Sequence, residues 1–397
     1  MLSIQLIKTV KFPGKGDKMK DIKIVIGANF GDEGKGLMTN YFSSNPNTIV
    51  VCSNGGAQRG HTVFEPITGT RHVFHHFGSG TLKGADTYLP KYYILNPIVF
   101  NQEYEELSEY IKDLNIYINP ACMITTPLDM MANQIKEQSR GNNRHGSCGT
   151  GIFETIARYK AGVTALNYDI ISEYYTEKFK KENIQLSKEW VATFYDKNIF
   201  KLFIEYDYPL MKQRSTVAFD NILKKYNHIV FEAGQGLLLD QNNTAYFPHL
   251  TPSNTGIKNP AEIINNINWE EEIKVETCYV SRTYLTRHGA GPFKTECWKE
   301  EINRLIHDKT NEPNAWQGSL RYGFLNIKDM LDRCYNDFKS AKMDNTIFSI
   351  AITHLNEYQL DLSNVGFHLN HYNAKDKRLY LSKEEAAVIL SPKLTAQ

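Results

Sequence analysis

The chain has 397 residues, of which 41% are hydrophobic and 22% are charged, and its formal net charge at pH 7 is +1. This length and apolar content allow a substantial core in one large domain or two closely packed ones. A charge so close to zero argues against a polyanion-binding surface, and no run approaches the roughly 20 apolar residues of a membrane-spanning helix. We therefore expect a soluble α/β protein that binds neither nucleic acid nor membrane.

The first twenty residues and the spacing of the cysteines indicate the compartment of the protein. The first twenty residues lack the apolar stretch and small-residue cleavage site of a signal peptide, and we interpret 1–20 as a leader or a short flap and 21–397 as a single domain. The six cysteines are widely spaced and form no C-x-x-C pair. That pattern fits a reducing compartment better than a disulfide framework or a zinc site, and it predicts a cytoplasmic protein.

Strand-like apolar runs recur along the chain, with helix-like patterns between several of them. The runs are residues 22–26, 48–52, 228–231, 275–281 and 346–353. Their alternation with helices predicts a large, mainly parallel central sheet with helices on both faces. Residues 169–225 are rich in Lys, Glu and Tyr at helical spacing, which predicts a peripheral helical insertion.

The first predicted strand leads into a glycine-rich loop, Gly27-Ala-Asn-Phe-Gly-Asp-Glu-Gly-Lys-Gly36. Glycines let backbone N–H groups converge on phosphate oxygens, Lys35 supplies a positive charge, and the next residues form a helix whose N-terminus faces the anion. The loop is not a standard P-loop, because G-x-x-x-x-G-K-[ST] requires glycine at Asn29 and Ser or Thr at Gly36. With that magnesium-binding hydroxyl missing, Asp32 is the candidate metal ligand or base.

Five further polar, glycine-rich clusters fall mostly after predicted strands, where open α/β sheets bind their ligands. They are Asn54-Gly-Gly-Ala-Gln-Arg-Gly-His-Thr62, His145-Gly-Ser-Cys-Gly-Thr-Gly151, Glu232-Ala-Gly-Gln-Gly236, Thr251-Pro-Ser-Asn-Thr255 and Thr286-Arg-His-Gly-Ala-Gly-Pro-Phe-Lys-Thr-Glu296. Any one of them alone would be only a loop. Together they are expected to converge at one edge of the sheet.

Taken in order, these segments resemble the adenylosuccinate synthetase family, whose members join a 6-oxopurine mononucleotide to aspartate at the expense of a nucleoside triphosphate. The family's motifs are G-D-E-G-K-G, G-G-x-N-x-G-H-T, G-[ST]-T-G-x-G-I, F-E-x-x-Q-G followed by S-S-N-T, and T-R-x-G-A-G-P-F-x-T-E. Versions of all five follow one another here between about residues 22 and 356. The resemblance implies a P-loop-NTPase-like fold, a homodimer and Mg²⁺ as cofactor.

The resemblance also implies a role for each matching residue. Asp32 would be the general base that removes the purine N1 proton, and His61 would stabilise the moving phosphoryl group, with Gln235 as a third catalytic residue. The nucleoside triphosphate, GTP or ATP, would be bound by Gly31, Glu33, Gly34, Lys35, Gly36, Thr62, Arg321 and Asn356. The purine nucleotide would be bound by Gln58, Ser147, Cys148, Gln235 and Thr251. Magnesium would be bound by Asp32 and a carbonyl near Gly60, and L-aspartate by Gln317, Ser319 and Arg321.

Several positions depart from the family pattern. Gln58 stands where the family usually has Asn, and Cys148, a weaker donor, stands where it usually has Thr. The loop at 314–323 has Arg321 as its only cation, whereas the family binds the aspartate carboxylates with several arginines. Asn356 replaces the Asp that reads guanine, which predicts a relaxed preference for GTP or the use of ATP.

Three other readings remain open. A related group of viral enzymes acts on dGMP, but its members tend to replace the loop aspartate with a small residue, so Asp32 favours IMP or dIMP. A non-catalytic nucleotide sensor is disfavoured by the intact Asp32, Lys35 and His61. A plain P-loop GTPase would not need the purine-site motifs. For the expected homodimer, Arg158 or Lys160 is the candidate for reaching the partner's nucleotide.

Overall fold

The structure is a computed structural model that describes residues 19–65, 68–141, 144–306, 311, 318–343 and 346–358, together with the backbone of strands at 367–370, 379–380 and 386–392. The strands in these ranges are β1 (Lys20–Gly27), β2 (Thr48–Cys52), β3 (Gly55–Gly56), β4 (His61–Glu65), β5 (Thr70–Phe74), β6 (Asp86–Leu89), β7 (Tyr93–Leu95), β8 (Ile116–Ile118), β9 (Met123–Ile124), β10 (Thr216–Val217), β11 (His228–Gly236), β12 (Ile273–Arg282), β13 (Tyr284–Arg287), β14 (Glu296–Cys297), β15 (Arg321–Phe324), β16 (Thr346–Thr353), β17 (Phe367–Asn370), β18 (Leu379–Tyr380) and β19 (Ala386–Pro392). The α-helices are α1 (Lys35–Phe42), α2 (Pro97–Ser108), α3 (Pro127–Ser139), α4 (Ile152–Lys160), α5 (Tyr168–Lys181), α6 (Lys188–Phe194), α7 (Lys197–Leu202), α8 (Tyr208–Gln213), α9 (Lys258–Asn266), α10 (Lys299–Ile302) and α11 (Ile327–Ser340).

A large central sheet runs in the order β10-β8-β6-β2-β11-β1-β12-β16-β19-β17. Neighbours from β10 to β16 are parallel, whereas β19 is antiparallel to both β16 and β17. The five predicted strands are β2, β11, β1, β12 and β16, which lie side by side in the middle. The prediction of a mainly parallel sheet is therefore confirmed. Since these strands share one direction, the loops that follow them leave from the same edge.

Both faces of this sheet are covered, which explains why its strands read as continuous apolar runs. Along β1, Ile24 packs into the core on one face and Val25 into the core on the other. Helix α1 contributes Met38 to the Val25 side. Helices α9 and α11 contribute Ile264 and Met330 to the Ile24 side. Helices thus lie on both faces, as predicted.

The segment predicted as a helical insertion is helical through α8, with a π-helical turn at Phe203–Asp207 between α7 and α8. Helices α5, α6 and α7 share a separate apolar core with α3, which contains Tyr175 and Phe194. Beyond α8, strand β10 joins the edge of the central sheet, and Leu223 packs into the main core. The division of the chain into a leader, one domain and an insertion stays a prediction.

Two further observations concern the chain as a whole. None of the helices described above combines the length and the apolar character needed to cross a bilayer. The six cysteine thiols are free, and four of them are buried. Burial raises the pKa of Cys52 to about 12, so this thiol stays protonated at neutral pH.

Candidate active site

The glycine-rich loop connects the end of β1 to the start of α1, as predicted for a phosphate-binding turn. Position 36 differs from a P-loop for a steric reason. A Cβ on Gly36 would lie 3.1 Å from His61 Cβ and 3.1 Å from Ser79 Oγ, which is closer than ordinary van der Waals contact. The Ser or Thr of a standard P-loop would therefore push against the histidine of the second motif. Glycine at this position lets His61 pack directly against the loop.

The two charged residues after Asp32 organise this loop. Glu33 Oε1 accepts hydrogen bonds from the backbone N–H groups of Asn29 and Gly31, at 3.0 and 2.8 Å. Lys35 Nζ lies 2.8 Å from Glu33 Oε2, and both side chains are 2% exposed. From β16, Thr353 Oγ1 donates to the carbonyl of Glu33 at 2.8 Å. The Glu33 carboxylate thus occupies these loop donors itself, so a phosphate that binds the same donors would have to displace it or share them.

Asp32 faces the site with a side chain that is one-quarter exposed. Its Oδ2 lies 2.9 Å from Nε2 of His288, and its backbone carbonyl accepts a hydrogen bond from Arg282 Nε. Burial alone would raise the pKa of Asp32, but the hydrogen bond and charge of His288, with the charges of Arg282 and Lys35, hold it below its usual value. Asp32 is therefore ionised at neutral pH. His288 was not among the predicted site residues, since it fills a variable position of its motif.

His61 is the first residue of β4 and lies beside a buried carboxylate. Its Nδ1 is 2.7 Å from Oε1 of Glu232, in β11. A carboxylate only accepts hydrogen bonds, so Nδ1 carries the hydrogen and Nε2 is left for a ligand. Burial lowers the pKa of His61, and the charge of Arg59 opposes the raising effect of Glu232. The ring is therefore neutral at pH 7.

Three groups besides His61 bind the Glu232 carboxylate. Arg59 Nη2 donates to Oε2 at 2.6 Å, and the Ser79 N–H donates to the same oxygen at 3.2 Å. The Ser79 hydroxyl donates to Oε1. Glu232 and Arg59 are both fully buried. Glu232, Arg59 and Ser79 were not predicted as site residues, although the first two stand inside the motifs.

Two predicted nucleotide ligands carry buried amide groups that lack hydrogen-bond partners in the described part of the chain. They are both amide atoms of Gln58 and Oε1 of Gln235. Gln235 adopts a φ of 57° near the end of β11. An unsatisfied buried amide costs about 1–3 kcal/mol, so a polar ligand that pairs with both residues would remove that penalty.

The third and fifth motifs lie against each other. A Cβ on Gly146 would be 2.8 Å from Gly289 Cα. In the third motif, Ser147 Oγ accepts from Asn133 Nδ2 at 3.0 Å, and Cys148 Sγ lies 3.1 Å from Thr150 Oγ1. Burial raises the pKa of Cys148, so it is a neutral thiol.

Thr251, the other predicted purine ligand, is buried at the start of the fourth cluster. Its N–H donates to the carbonyl of Leu239 at 2.9 Å. The backbone of Thr251 is thereby fixed, and its hydroxyl is the group that would contact a nucleotide.

Arg321 is already fully engaged. Its Nε and Nη2 bind the two oxygens of Glu296 at 2.7 and 2.5 Å, and Nη1 donates to the carbonyls of Gly289 and Gly291 at 3.0 and 2.9 Å. A carboxylate or phosphate ligand would have to displace Glu296 to reach it. Its predicted roles in nucleotide and aspartate binding therefore stay predictions, with Glu296 as a competitor.

The remaining predicted residues are distributed as follows. Gly60, Ser319 and Asn356 are exposed, Asn356 just beyond the end of β16, and Thr62 is half-buried in β4. Gln317 lies outside the described residues.

Arg158 does not match the prediction that it reaches a partner subunit. It is fully buried, and its Nε and Nη2 donate to Asp129 at 2.8 and 3.0 Å. These bonds hold α4 against α3. Lys160, at the end of α4, is exposed.

The described residues do not provide a magnesium site made of protein side chains alone. No group of three or more His, Cys, Asp or Glu residues that could bind a metal ion occurs among the described residues. Mg²⁺ in nucleotide sites is usually held by one or two carboxylates together with substrate phosphates. The ionised, partly exposed Asp32 and the carbonyl of the exposed Gly60 suit that arrangement.

Comparison with known proteins gives one consistent family. Residues 24–376 match the family model for adenylosuccinate synthetase. The adenylosuccinate synthetase of Microcystis aeruginosa is 29% identical over 316 residues, which cover 75% of this chain and 67% of that protein. Among solved structures, fully ligated adenylosuccinate synthetase from Plasmodium falciparum has a TM-score of 0.62 at 20% identity and covers 87% of this chain and 79% of its own. Cyanophage S-2L succinoaminodeoxyadenylate synthetase (PurZ), bound to dGMP and to dATP as an energy donor, has a TM-score of 0.53 at 14% identity, with 83% and 84% covered.

Proposed function

The chain belongs to the adenylosuccinate synthetase family of purine biosynthesis, and we propose that within this family of NTP-dependent C–N ligases it joins L-aspartate to C6 of IMP or dIMP. The 6-oxygen of the purine attacks the γ-phosphorus of the triphosphate, which releases NDP. The amine of aspartate then attacks C6 and displaces phosphate, giving adenylosuccinate. The observation that carries this proposal is the packing of His61 against Gly36, which brings a second catalytic group to the loop that presents Asp32.

Asp32 accepts the N1 proton, so that negative charge develops on the 6-oxygen as it attacks. A carboxylate whose pKa lies below its usual value is a weak base, and the proton therefore moves only as the new O–P bond forms. Mg²⁺, held by Asp32, the carbonyl of Gly60 and phosphate oxygens, would supply positive charge to the phosphates. His288 keeps the Asp32 carboxylate ionised and oriented.

His61 acts on the phosphoryl group that is being transferred. Its Nδ1 is held by Glu232, so Nε2 faces the ligand. A phosphoryl group close to Nε2 favours a proton there, because the two charges attract, and the resulting N–H donates to a phosphoryl oxygen in the transition state. Gln235 and Gln58 pair their free amide groups with the purine nucleotide, together with Ser147, Cys148 and Thr251.

The triphosphate binds at the loop from Gly31 to Gly36 and at Thr62, with its base near Asn356. An Asn side chain both donates and accepts, so it does not select guanine as an Asp does. We propose that the enzyme uses ATP as well as GTP. The aspartate site would use Ser319 and Arg321 with Gln317, and the protein is expected to be a cytoplasmic homodimer.

A second candidate function is the ligation of aspartate to dGMP. Two observations favour it: the fold similarity to the dGMP-bound cyanophage enzyme, whose energy donor is dATP, and the loss of the guanine-reading Asp at position 356. The retained Asp32 favours a purine without a 2-amino group. IMP and dIMP are therefore placed first.

Phosphate release from purified protein with magnesium tests these proposals. IMP, dIMP, GMP and dGMP are each combined with GTP or ATP, with and without aspartate, and product masses are recorded. Turnover that requires IMP or dIMP together with aspartate is expected. Turnover only with dGMP would support the second candidate function, the ligation of aspartate to dGMP. Nucleotide binding without turnover in every combination, other amino acids included, would leave a nucleotide sensor.

A further inference from the structure

Arg59 is a buried cation next to the proposed catalytic histidine. It fills the variable position between Gln58 and Gly60 in the second motif, and it is 1% exposed. Its Nη2 lies 2.6 Å from Glu232 Oε2 and 3.2 Å from His61 Nδ1. The motif itself does not call for a charged residue at this position. The contact with Glu232 therefore comes from a residue that the motif does not specify.

We propose that Arg59 is a positioning residue that fixes the Glu232 carboxylate, and through it the His61 ring, for phosphoryl transfer. This inference rests on the proposed function, because it assigns a role within the same reaction. This role requires no contact between Arg59 and the substrate. It acts through Glu232.

The division of hydrogen bonds on Glu232 supports this role. One oxygen, Oε2, accepts from Arg59 and from the Ser79 N–H, while the other, Oε1, accepts from His61 and the Ser79 hydroxyl. A charged hydrogen bond to Oε2 fixes the rotation of the carboxylate, so Oε1 faces His61 Nδ1. Without Arg59, the fully buried Glu232 would lose the positive charge that pairs with it, and burial would favour its protonated form. A protonated oxygen turned toward His61 would present a donor and would be a weaker acceptor for the Nδ1 hydrogen.

The chain leaves space for the arginine stem. Cβ atoms on Gly55 and on Gly234 would each lie 3.2 Å from Arg59 Cγ, so side chains at either position would crowd it. Gly55 has a φ of 89°, which by itself favours glycine. Gly234 does not have a positive φ, so backbone conformation does not require glycine at position 234. On another side, the guanidinium carbon of Arg59 lies 5.9 Å from the centre of the Tyr93 ring. Arg59 is thus enclosed by a pocket of matching shape.

Arg59→Gln is the first test, with steady-state kinetics of the full-length protein on its best substrates. Misplacing a catalytic group by about 1 Å can lower the rate on the order of 100-fold, so we expect kcat to fall about 10- to 100-fold. Because the proposal has Arg59 act through Glu232 and not on the substrate, KM for both nucleotides should stay within about threefold. Arg59→Lys keeps a charge beside Glu232 and should recover part of kcat.

Lys136→Gln is the matched control, because Lys136 is also a buried cation paired with carboxylates, those of Glu154 and Glu182, and lies in the helical layer around α3. It should lower thermal stability and leave kcat unchanged. Should Arg59→Gln fail to fold, Arg59→Met, which fills the space without charge, takes its place. An unchanged kcat, a parallel loss of nucleotide binding, or equal rates for the Lys and Gln variants would overturn the proposal.

A crystal structure of the Arg59→Gln protein gives a readout that needs no turnover. The proposal expects the 2.7 Å contact between His61 Nδ1 and Glu232 Oε1 to be lost there and retained in Lys136→Gln. A retained contact would contradict it. If the wild-type protein turned over no 6-oxopurine nucleotide, the proposed function would fail, and the crystal structures would still decide whether Arg59 positions His61.

Discussion

Nε2 of His288 lies 2.9 Å from Oδ2 of Asp32, which joins the fifth motif to the glycine-rich loop. Nε2 also lies 3.0 Å from Oδ1 of Asn311. Both neighbours are acceptors, so Nε2 carries a hydrogen that they share. The proposed general base is thus held by a histidine that directly follows β13.

Replacing His288 with Val should move the acid limb of kcat/KM to higher pH. The histidine helps to hold the pKa of Asp32 below its usual value, and without it the burial of Asp32 raises that pKa. With a higher pKa, Asp32 stays protonated, and therefore inactive as a base, up to a higher pH. The limb should shift by about one pH unit or more. His288→Gln, which keeps a donor without a charge, should give an intermediate shift, and superimposable profiles for Val and wild type would count against the pairing.

Adding a methyl group at Gly36 should damage catalysis more than stability alone explains. In Gly36→Ala, the new Cβ lies 3.1 Å from His61 Cβ, so the histidine must move. We expect kcat to fall about tenfold. Overpacking should lower the free energy of unfolding by about 1–3 kcal/mol. Kinetics and denaturant unfolding measure the two effects.

Gly84→Ala is the control for that experiment. Gly84 has open space around its missing side chain, and its φ of 79° makes any Cβ strained. The substitution should cost about 1–2 kcal/mol of stability with no change in kcat. If Gly36→Ala behaved in the same way, the contact between the loop and His61 would have no catalytic role.

The sequence predicted the middle of the fold well and its periphery poorly. Strands β2, β11, β1, β12 and β16 are covered on both faces, so each carries an unbroken apolar run that is visible without a structure. Strands such as β3 and β10 have two residues each, and no periodicity can be read from two residues. The small antiparallel sheet β13-β15-β14 joins distant segments, and local patterns do not specify such pairings.

The candidate site shows the same limit. Asp32 and His61 could be named because they stand at fixed positions of motifs, whereas Arg59 and His288 stand at variable ones. A charged residue at a variable loop position is usually solvated, so sequence reasoning passes over it. Only the fold shows that Arg59 is buried against Glu232 and that His288 meets Asp32. The pairing of Arg321 with Glu296 was likewise not visible in the sequence.

Substituting Asn356 with Asp should restore a preference for GTP. A carboxylate accepts two guanine N–H donors, and a hydrogen bond to a charged group contributes about 1.5–3 kcal/mol. We expect the ratio of kcat/KM for GTP to that for ATP to rise about tenfold or more in Asn356→Asp. Asn356→Ala should leave this ratio close to that of wild type. An unchanged ratio in Asn356→Asp would show that the base of the triphosphate binds elsewhere.

Asp337 on α11 should make the protein less stable as pH rises, and Asp337→Asn should remove this effect. Burial raises the pKa of Asp337 to about 6, although Tyr279 OH donates to it at 2.7 Å and the Ile257 N–H at 3.0 Å. Since the folded pKa lies above the unfolded value, the folded state binds the proton more tightly. Stability is therefore greatest below about pH 4 for this group, and falls as pH rises toward and past 6, by about 2–3 kcal/mol in total. An Asn side chain keeps an acceptor without the charge, so the stability of the variant should match that of wild type near pH 4 and exceed it at pH 8.

Asp332→Asn, an exposed change on the same helix, is the control and should leave the free energy of unfolding unchanged at both pH values. Urea unfolding at pH 4, 6 and 8 measures the difference, and parallel curves for wild type and Asp337→Asn would refute a buried, ionised carboxylate at this position.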